Sequence, residues 1–226
     1  MDDLDLYAKI EPLIGFYEEY EELYAKYIDK ILFLNAKNVL DIGCGNGRFL
    51  RHLKDLKIEH FGIDRSLEMI KRAKSIGVNA NLLELSSIDR EFECATAIGD
   101  VLNYIDSKNL ELFFKEIRRV LINGGYFLFD INTLDGFETT DGVMVKDLDD
   151  KFLSIEADFD GEILQTNITF FEKNEKNFLK SKAKILQYFH DVEKFKNIDG
   201  FEYISSTPIR MFSDVDEKVI VTLRAI

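Results

Sequence analysis

Val39-Leu40-Asp41-Ile42-Gly43-Cys44-Gly45-Asn46-Gly47-Arg48-Phe49-Leu50 decides the reading of this chain. An apolar strand runs into an acid, then three glycines at alternate positions, then a helical pattern. Backbone that must pass close to a ligand at the carboxyl end of a parallel strand is built this way. The dinucleotide fingerprint G-x-G-x-x-G would need its third glycine at position 48, where Arg48 stands. The spacing is instead D-x-G-x-G-x-G.

Outward from this turn, strand and helix signals alternate. Strands are predicted at 38–42, 60–63, 80–85, 93–98 and 126–131, and helices at 47–56, 67–76 and 110–121. Short turns between them mean a parallel sheet covered on both faces. Upstream, Leu13, Phe16, Tyr17, Tyr20, Leu23, Tyr24, Tyr27, Ile28 and Ile31 keep the rhythm of one buried helix face. They predict a single helix over 12–34, with Pro12 in its first turn. After Asp130 the pattern changes. Residues 142–189 hold four strand-like runs, with Asp160-Gly161 as a tight-hairpin signal, and read as an antiparallel meander. Asp191 is expected to cap a short helix to Ile198, and 201–204 and 218–225 to supply the last strands. No flexible linker divides the chain, so 1–226 reads as one domain. Its parts are a helical front (1–37), a core (38–135), a β-rich excursion (136–190) and a C-terminal segment (191–226).

Composition narrows the function. The chain has 226 residues, 46 % of them hydrophobic, and a formal net charge of −13. Residues 1–25 carry eight acids against one base, Lys9, which reads as a solvated face. Such charge repels a polyanion, so nucleic acid is a poor candidate partner. No apolar run is long enough for a membrane span, and the first residues lack the features of a signal peptide, so a cytoplasmic location is expected. Cys44 and Cys94 lie far apart, with no metal-ligand spacing, so no metal site is expected.

The glycine motif resembles the first motif of class I S-adenosylmethionine (SAM) dependent methyltransferases, matched by Asp41, Gly43, Gly45 and Gly47. "DVLNY" at Asp100–Tyr104 and "FDINT" at Phe129–Thr133 resemble a small prokaryotic subgroup of that family. The likeness covers about 36–133, and the excursion fits in layout only. It implies a Rossmann-like α/β fold: a seven-stranded, mostly parallel sheet with one antiparallel strand, 218–225, plus the β excursion. It also implies SAM as cofactor and S-adenosylhomocysteine (SAH) as product.

In that frame Asp64, ending the second strand, takes the ribose hydroxyls, a role for which a strand-end acid is suited. Gly43 and Gly45 let backbone reach the methionine end, whose carboxylate meets the next helix's N-terminal amides. Asp41 holds the glycine loop or the ammonium group. Glu84 lies near the adenine amino group, and Arg65, Leu85 and Asp100 complete the cofactor set. Asn103, Tyr104, Tyr17 and Tyr20 are the acceptor-binding candidates. Asp130 and Asn132 are the catalytic candidates, and His190 joins them beside its reading as a structural histidine. The expected reaction is methyl transfer to N or O of a small molecule, by a monomer or homodimer. Two alternatives stand: modification of a macromolecule such as tRNA or protein, and a SAM-binding module without catalysis.

Overall fold

The computed structural model describes residues 3–226. Met1 and Asp2, which open the acidic stretch, lie outside the described residues. The chain starts with α1 (Asp3–Ile14) and α2 (Tyr17–Phe33). The core follows as β1 (Asn38–Ile42), α3 (Arg48–Asp55), β2 (Glu59–Asp64), α4 (Leu67–Ser75), β3 (Ala80–Leu82), β4 (Phe92–Ala97), α5 (Leu110–Arg119) and β5 (Leu121–Asn132). Helix α6 (Leu134–Thr140) leads to β6 (Gly142–Leu148), β7 (Lys151–Phe159), β8 (Ile163–Asn174) and β9 (Asn177–Tyr188). The described chain finishes with β10 (Phe201–Ile209) and β11 (Lys218–Ala225).

Seven strands form one sheet in the order β10-β11-β5-β4-β1-β2-β3. Strand β11 runs antiparallel to both its neighbours; the pairs among β1–β5 are parallel. This is the Rossmann-like architecture expected. Its order reverses beside β1, so a crevice opens at the carboxyl ends of β1 and β4. The excursion is a separate antiparallel sheet, β6-β7-β8-β9.

Strand alternation splits the core. Phe127 and Phe129 of β5 pack with Phe114 of α5 and with Phe195 and Phe201 on one face. Leu128 faces the other side, with Leu23, Tyr27 and Ile31 of α2 and Phe49 of α3.

Three details differ from the sequence reading. The single helix over 12–34 is two helices: Pro12 lies near the end of α1, and Gly15, at φ 89°, turns the chain before α2. A proline donates no amide hydrogen, and glycine reaches this conformation without a Cβ clash, so the helix ends there. Helix α1 buries Leu6 and Ile10 against Leu153, Ile168 and Phe170 of the second sheet, fastening it to the front of the molecule. Strand β3 stops at Leu82, and Leu85–Ser87 form a 3₁₀ turn instead. Helix α6, capped by the Thr133 hydroxyl accepting from the Gly136 amide at 3.0 Å, was not anticipated.

Candidate functional site

A cavity of about 820 Å³ opens over the carboxyl ends of β1, β2 and β4. Its floor is the glycine turn. Gly43, Gly45 and Gly47 all have positive φ, at 70°, 51° and 80°. Two of them do different work. A Cβ on Gly47 would stand 2.8 Å from both Ala73 and Val78, so that glycine lets α3 pack on α4. A Cβ on Gly45 would meet nothing within 4 Å, so that glycine leaves room for something outside the protein. Asn46 caps the start of α3, its Oδ1 accepting from the Arg48 amide at 3.2 Å.

Asp64 closes the far side of this turn. Its Oδ2 accepts from the Gly45 amide and its Oδ1 from the Ser66 amide, both at 2.8 Å. Burial raises its carboxyl above the ordinary range, and these backbone donors oppose the shift. Beyond it Glu84 and Leu85 line the cavity, and Arg65 donates to Glu84 at 3.0 Å. Asp41 does not line the cavity. It is buried under the turn and accepts from the Thr96 hydroxyl at 2.7 Å, and burial pushes its carboxyl up to about 7.

The turn after β4 carries a buried ion cluster. Asp100 lines the cavity and holds a left-handed φ of 67°, unusual for a residue other than glycine. Behind it lies the ammonium of Lys218, paired with Asp100 and, at 3.1 Å, with Asp130. Asp130 is fully buried and accepts three further bonds: Tyr27 hydroxyl at 2.8 Å, Gly99 amide at 2.9 Å and Asp100 amide at 3.2 Å. Burial draws the Lys218 ammonium down and the Asp130 carboxyl up from their ordinary ranges, and each is the other's counter-ion.

The structure places the three catalytic candidates outside the cavity lining. Asp130 and Asn132 belong to the face of β5 that carries Leu128, Asp130 meets Tyr27 of α2, and neither lines the cavity. His190 is fully buried; its Nε2 lies 2.8 Å from the Ile105 carbonyl and its ring stands edge-on to Phe195. Asn103 also lies outside the lining: it donates to the Tyr188 carbonyl at 2.9 Å and accepts from the Asn132 amide at 3.0 Å, tying β9 to β5.

Tyr17, Tyr20 and Tyr104 do line the cavity, with Tyr7, Tyr24 and Tyr188, which the sequence reading missed. Tyr20 covers Gly99, where a Cβ would lie 3.3 Å from its ring. Arg48 stacks on the Tyr17 ring, 4.5 Å from its centroid, and donates to Glu21 at 2.7 Å. The cavity face of α1 is Leu4, Tyr7, Glu11 and Ile14, a helical spacing present in the sequence but masked by the surrounding acids.

Those acids are not merely solvated. Glu11 accepts from Asn46 at 3.2 Å, Tyr17 at 3.3 Å and Arg72 at 3.4 Å. Asp5 accepts from the Ser66 hydroxyl at 2.7 Å. The N-terminal helices are therefore pinned over the glycine turn. Among the described residues no cluster of His, Cys, Asp and Glu has the geometry of a metal site.

A family model described as a methyltransferase domain matches residues 40–129, the segment that builds the glycine turn, Asp64 and the turn after β4. The putative methyltransferase YqeM of Bacillus subtilis (strain 168) is 30 % identical over 135 residues, covering 53 % of this chain and 55 % of that protein. An uncharacterized protein of Methanocaldococcus jannaschii is 34 % identical over 139 residues, covering 54 % of this chain and 56 % of its own. The chain spans about half the length of the curated relatives it matches. Among solved structures, a SAM-dependent methyltransferase from Clostridium acetobutylicum superposes with a TM-score of 0.77 at 22 % identity, over 97 % of this chain and 96 % of that one. The sugar N-methyltransferase KedS8 from Streptoalloteichus sp. superposes with a TM-score of 0.71 at 16 % identity, over 96 % and 91 %. These likenesses establish the fold as that of the Rossmann-like SAM methyltransferases.

Proposed function

We propose that this protein is a SAM-dependent methyltransferase that acts on a nitrogen or oxygen nucleophile of a small molecule. The observation that carries the reading is the pairing of Gly45 and Asp64. An open glycine cradle lies beside a strand-end carboxylate, inside a cavity of about 820 Å³. Sites for drug-sized ligands measure about 300–1,000 Å³, so there is room here for a nucleoside-sized cofactor and a compact acceptor. Residues 40–129, which match the methyltransferase domain model, supply both groups.

Asp64 would accept from the ribose hydroxyls, and Leu85 and Glu84 would border the base. Gly45 backbone and the first amides of α3 would meet the amino-acid end. Bound there, SAM supplies a methyl group already activated on a positively charged sulfur. The chain's task is then to place the acceptor atom in line with that methyl and to exclude water, and orientation alone contributes much of the rate. The six tyrosines and helices α1 and α2 roof the space where the acceptor would lie. The limited volume of the cavity and the name of the sugar N-methyltransferase neighbour both favour a small acceptor over a macromolecule. We read the second sheet as part of the same domain, since α1 packs on it and lines the cavity.

Isothermal titration with SAM and SAH tests the cofactor assignment, and a screen of metabolite pools with labelled SAM tests the transfer. Saturable binding of both, lost in Asp64→Ala, is the expected result. A chain that binds neither overturns the proposal.

A further inference from the structure

Building on that reading, we infer that the acceptor carries an amine, which enters the cavity as a cation and is received by Asp100 under the tyrosine rings. The charges of the lining decide this. Six acids line the cavity, Glu11, Asp64, Glu84, Asp100, Asp106 and Glu116, against two bases, Arg48 and Arg65. Both bases are engaged. Arg48 is paired with Glu21 and stacked on Tyr17, and Arg65 is paired with Glu84. No cation is left among the lining residues to receive a phosphate or carboxylate on the acceptor.

Most of the acids are engaged as well. Glu11 is answered by Arg72 and Glu116 by Arg119. Asp106 accepts from the Lys108 and Asn109 amides, both at 3.0 Å. Asp64 belongs to the cofactor half. Asp100 remains. It shares one ammonium, Lys218, with Asp130. Two carboxylates and one ammonium leave one negative charge. Asp130 is enclosed and satisfied by three donors besides Lys218, so the excess charge falls on Asp100, the member that lines the cavity.

The surroundings of Asp100 suit a cation. Tyr20 covers the preceding glycine, and Tyr104, four residues on, leaves 38 % of its surface open. Tyrosine faces attract ammonium groups, the more so away from bulk water. The left-handed backbone at Asp100 is held by Asp130, which binds the amides of both Gly99 and Asp100. Strain of this kind persists only where surrounding structure enforces it. The proton balance follows. The bound ammonium gives one proton to Asp100, and its freed lone pair forms the N–C bond. The C–S electron pair returns to sulfur. The methylated nitrogen leaves as an ammonium, and Asp100 releases its proton to solvent through the cavity mouth.

The test uses three probes of one shape and different charge on the SAH-saturated protein: 2-phenylethylamine, 2-phenylethanol and 3-phenylpropionate. The amine is expected to bind about tenfold or more tighter than the alcohol, and the carboxylate to show no saturable binding. Asp100→Asn is expected to erase the preference for amine while SAH affinity stays within a few-fold. Tyr104→Leu, at an open position that does not endanger the fold, is expected to weaken the amine alone. Absence of amine binding, equal binding of the carboxylate, or an intact amine preference in Asp100→Asn overturns the inference. Parallel loss of SAH in Asp100→Asn also overturns it, because it moves Asp100 to the cofactor. Failure of the unmodified chain to bind SAH defeats the methyltransferase reading itself, and this inference with it.

Discussion

The amide of Gly45 donates a 2.8 Å hydrogen bond to Oδ2 of Asp64, joining the turn after β1 to the end of β2. One carboxylate therefore shapes the cradle and stands ready for the ligand. Asp64→Ala removes both, and Asp64→Asn removes the charge and keeps at most one of the two backbone bonds, since its single oxygen can accept from Gly45 or from Ser66 but its NH2 cannot accept from either. Hydrogen bonds to a charged acceptor contribute about 1.5–3 kcal/mol each. Calorimetry is expected to show SAH affinity reduced about tenfold to a hundredfold in Asp64→Asn, and further in Asp64→Ala. Wild-type affinity in both variants would remove Asp64 from the site.

Gly45 and Gly47 are expected to separate binding from folding. Gly45→Ala adds a methyl in open space, so its cost to the fold is confined to the left-handed backbone, about 1–2 kcal/mol. The methyl would occupy the cradle, and SAH binding is expected to disappear. Gly47→Ala drives the same methyl to 2.8 Å from Ala73 and Val78. Overpacking adds about 1–3 kcal/mol there, so its urea midpoint is expected to fall below that of Gly45→Ala. The reverse order of midpoints would contradict the roles assigned to the two glycines.

Much of this was legible in the sequence because it is local. The strand-turn-helix around Gly45 repeats the period-2 and period-3.6 patterns that set the sheet, and Asp64 ends the second strand, where an acid can reach the same crevice. The hairpin between β7 and β8 followed from Asp160-Gly161. What was not legible depends on which side of an element a residue meets. Asp130 and Asn132 end a strand at the crevice edge, yet neither lines the cavity, and Asp130 is turned beneath α2 onto Tyr27. The pairing of Lys218 with Asp100 spans 118 positions and has no sequence signal. Helix α1 was hidden because Asp3, Asp5 and Glu11 read as a solvated face, while Leu6 and Ile10 needed a second sheet to pack on.

Asp41 makes stability depend on pH in a specific direction. Burial raises its folded carboxyl to about 7, above its unfolded value. The folded chain then holds a proton that the unfolded chain releases. Its contribution is fully present below about pH 4 and is lost as pH rises through about 7, at about 1.4 kcal/mol per unit. Asp41→Asn is neutral throughout, and its Oδ1 can still accept from Thr96. The stability of the variant relative to the parent chain is expected to rise between pH 4 and pH 7 and level off above, by urea unfolding at each pH. Parallel profiles would mean that Asp41 is ionised in the fold.

The remaining prediction concerns what this protein leaves untouched. Forty-two acids oppose twenty-nine Lys and Arg, a poor surface for a polyanion. The structure does gather one basic row: Lys180, Lys182 and Lys184 are exposed at alternate positions on β9. Ala183 and Ile185, on the opposite face of that strand, pack with Leu6 and Ile10 of α1, the helix that lines the cavity. The row therefore lies on the face of the second sheet opposite α1, so a strand of nucleic acid held there would be separated by that sheet from the helix that lines the cavity. Filter binding at low salt, where electrostatic attraction is strongest, is expected to show at most weak retention of tRNA that falls steeply as salt is raised. Lys180→Glu with Lys182→Glu is expected to abolish that retention without altering SAH affinity. Labelled methyl groups from SAM are expected in neither tRNA nor duplex DNA. Saturable incorporation into RNA at micromolar concentrations would overturn the small-molecule reading, because no acidic cavity of this kind would then be setting the choice of acceptor.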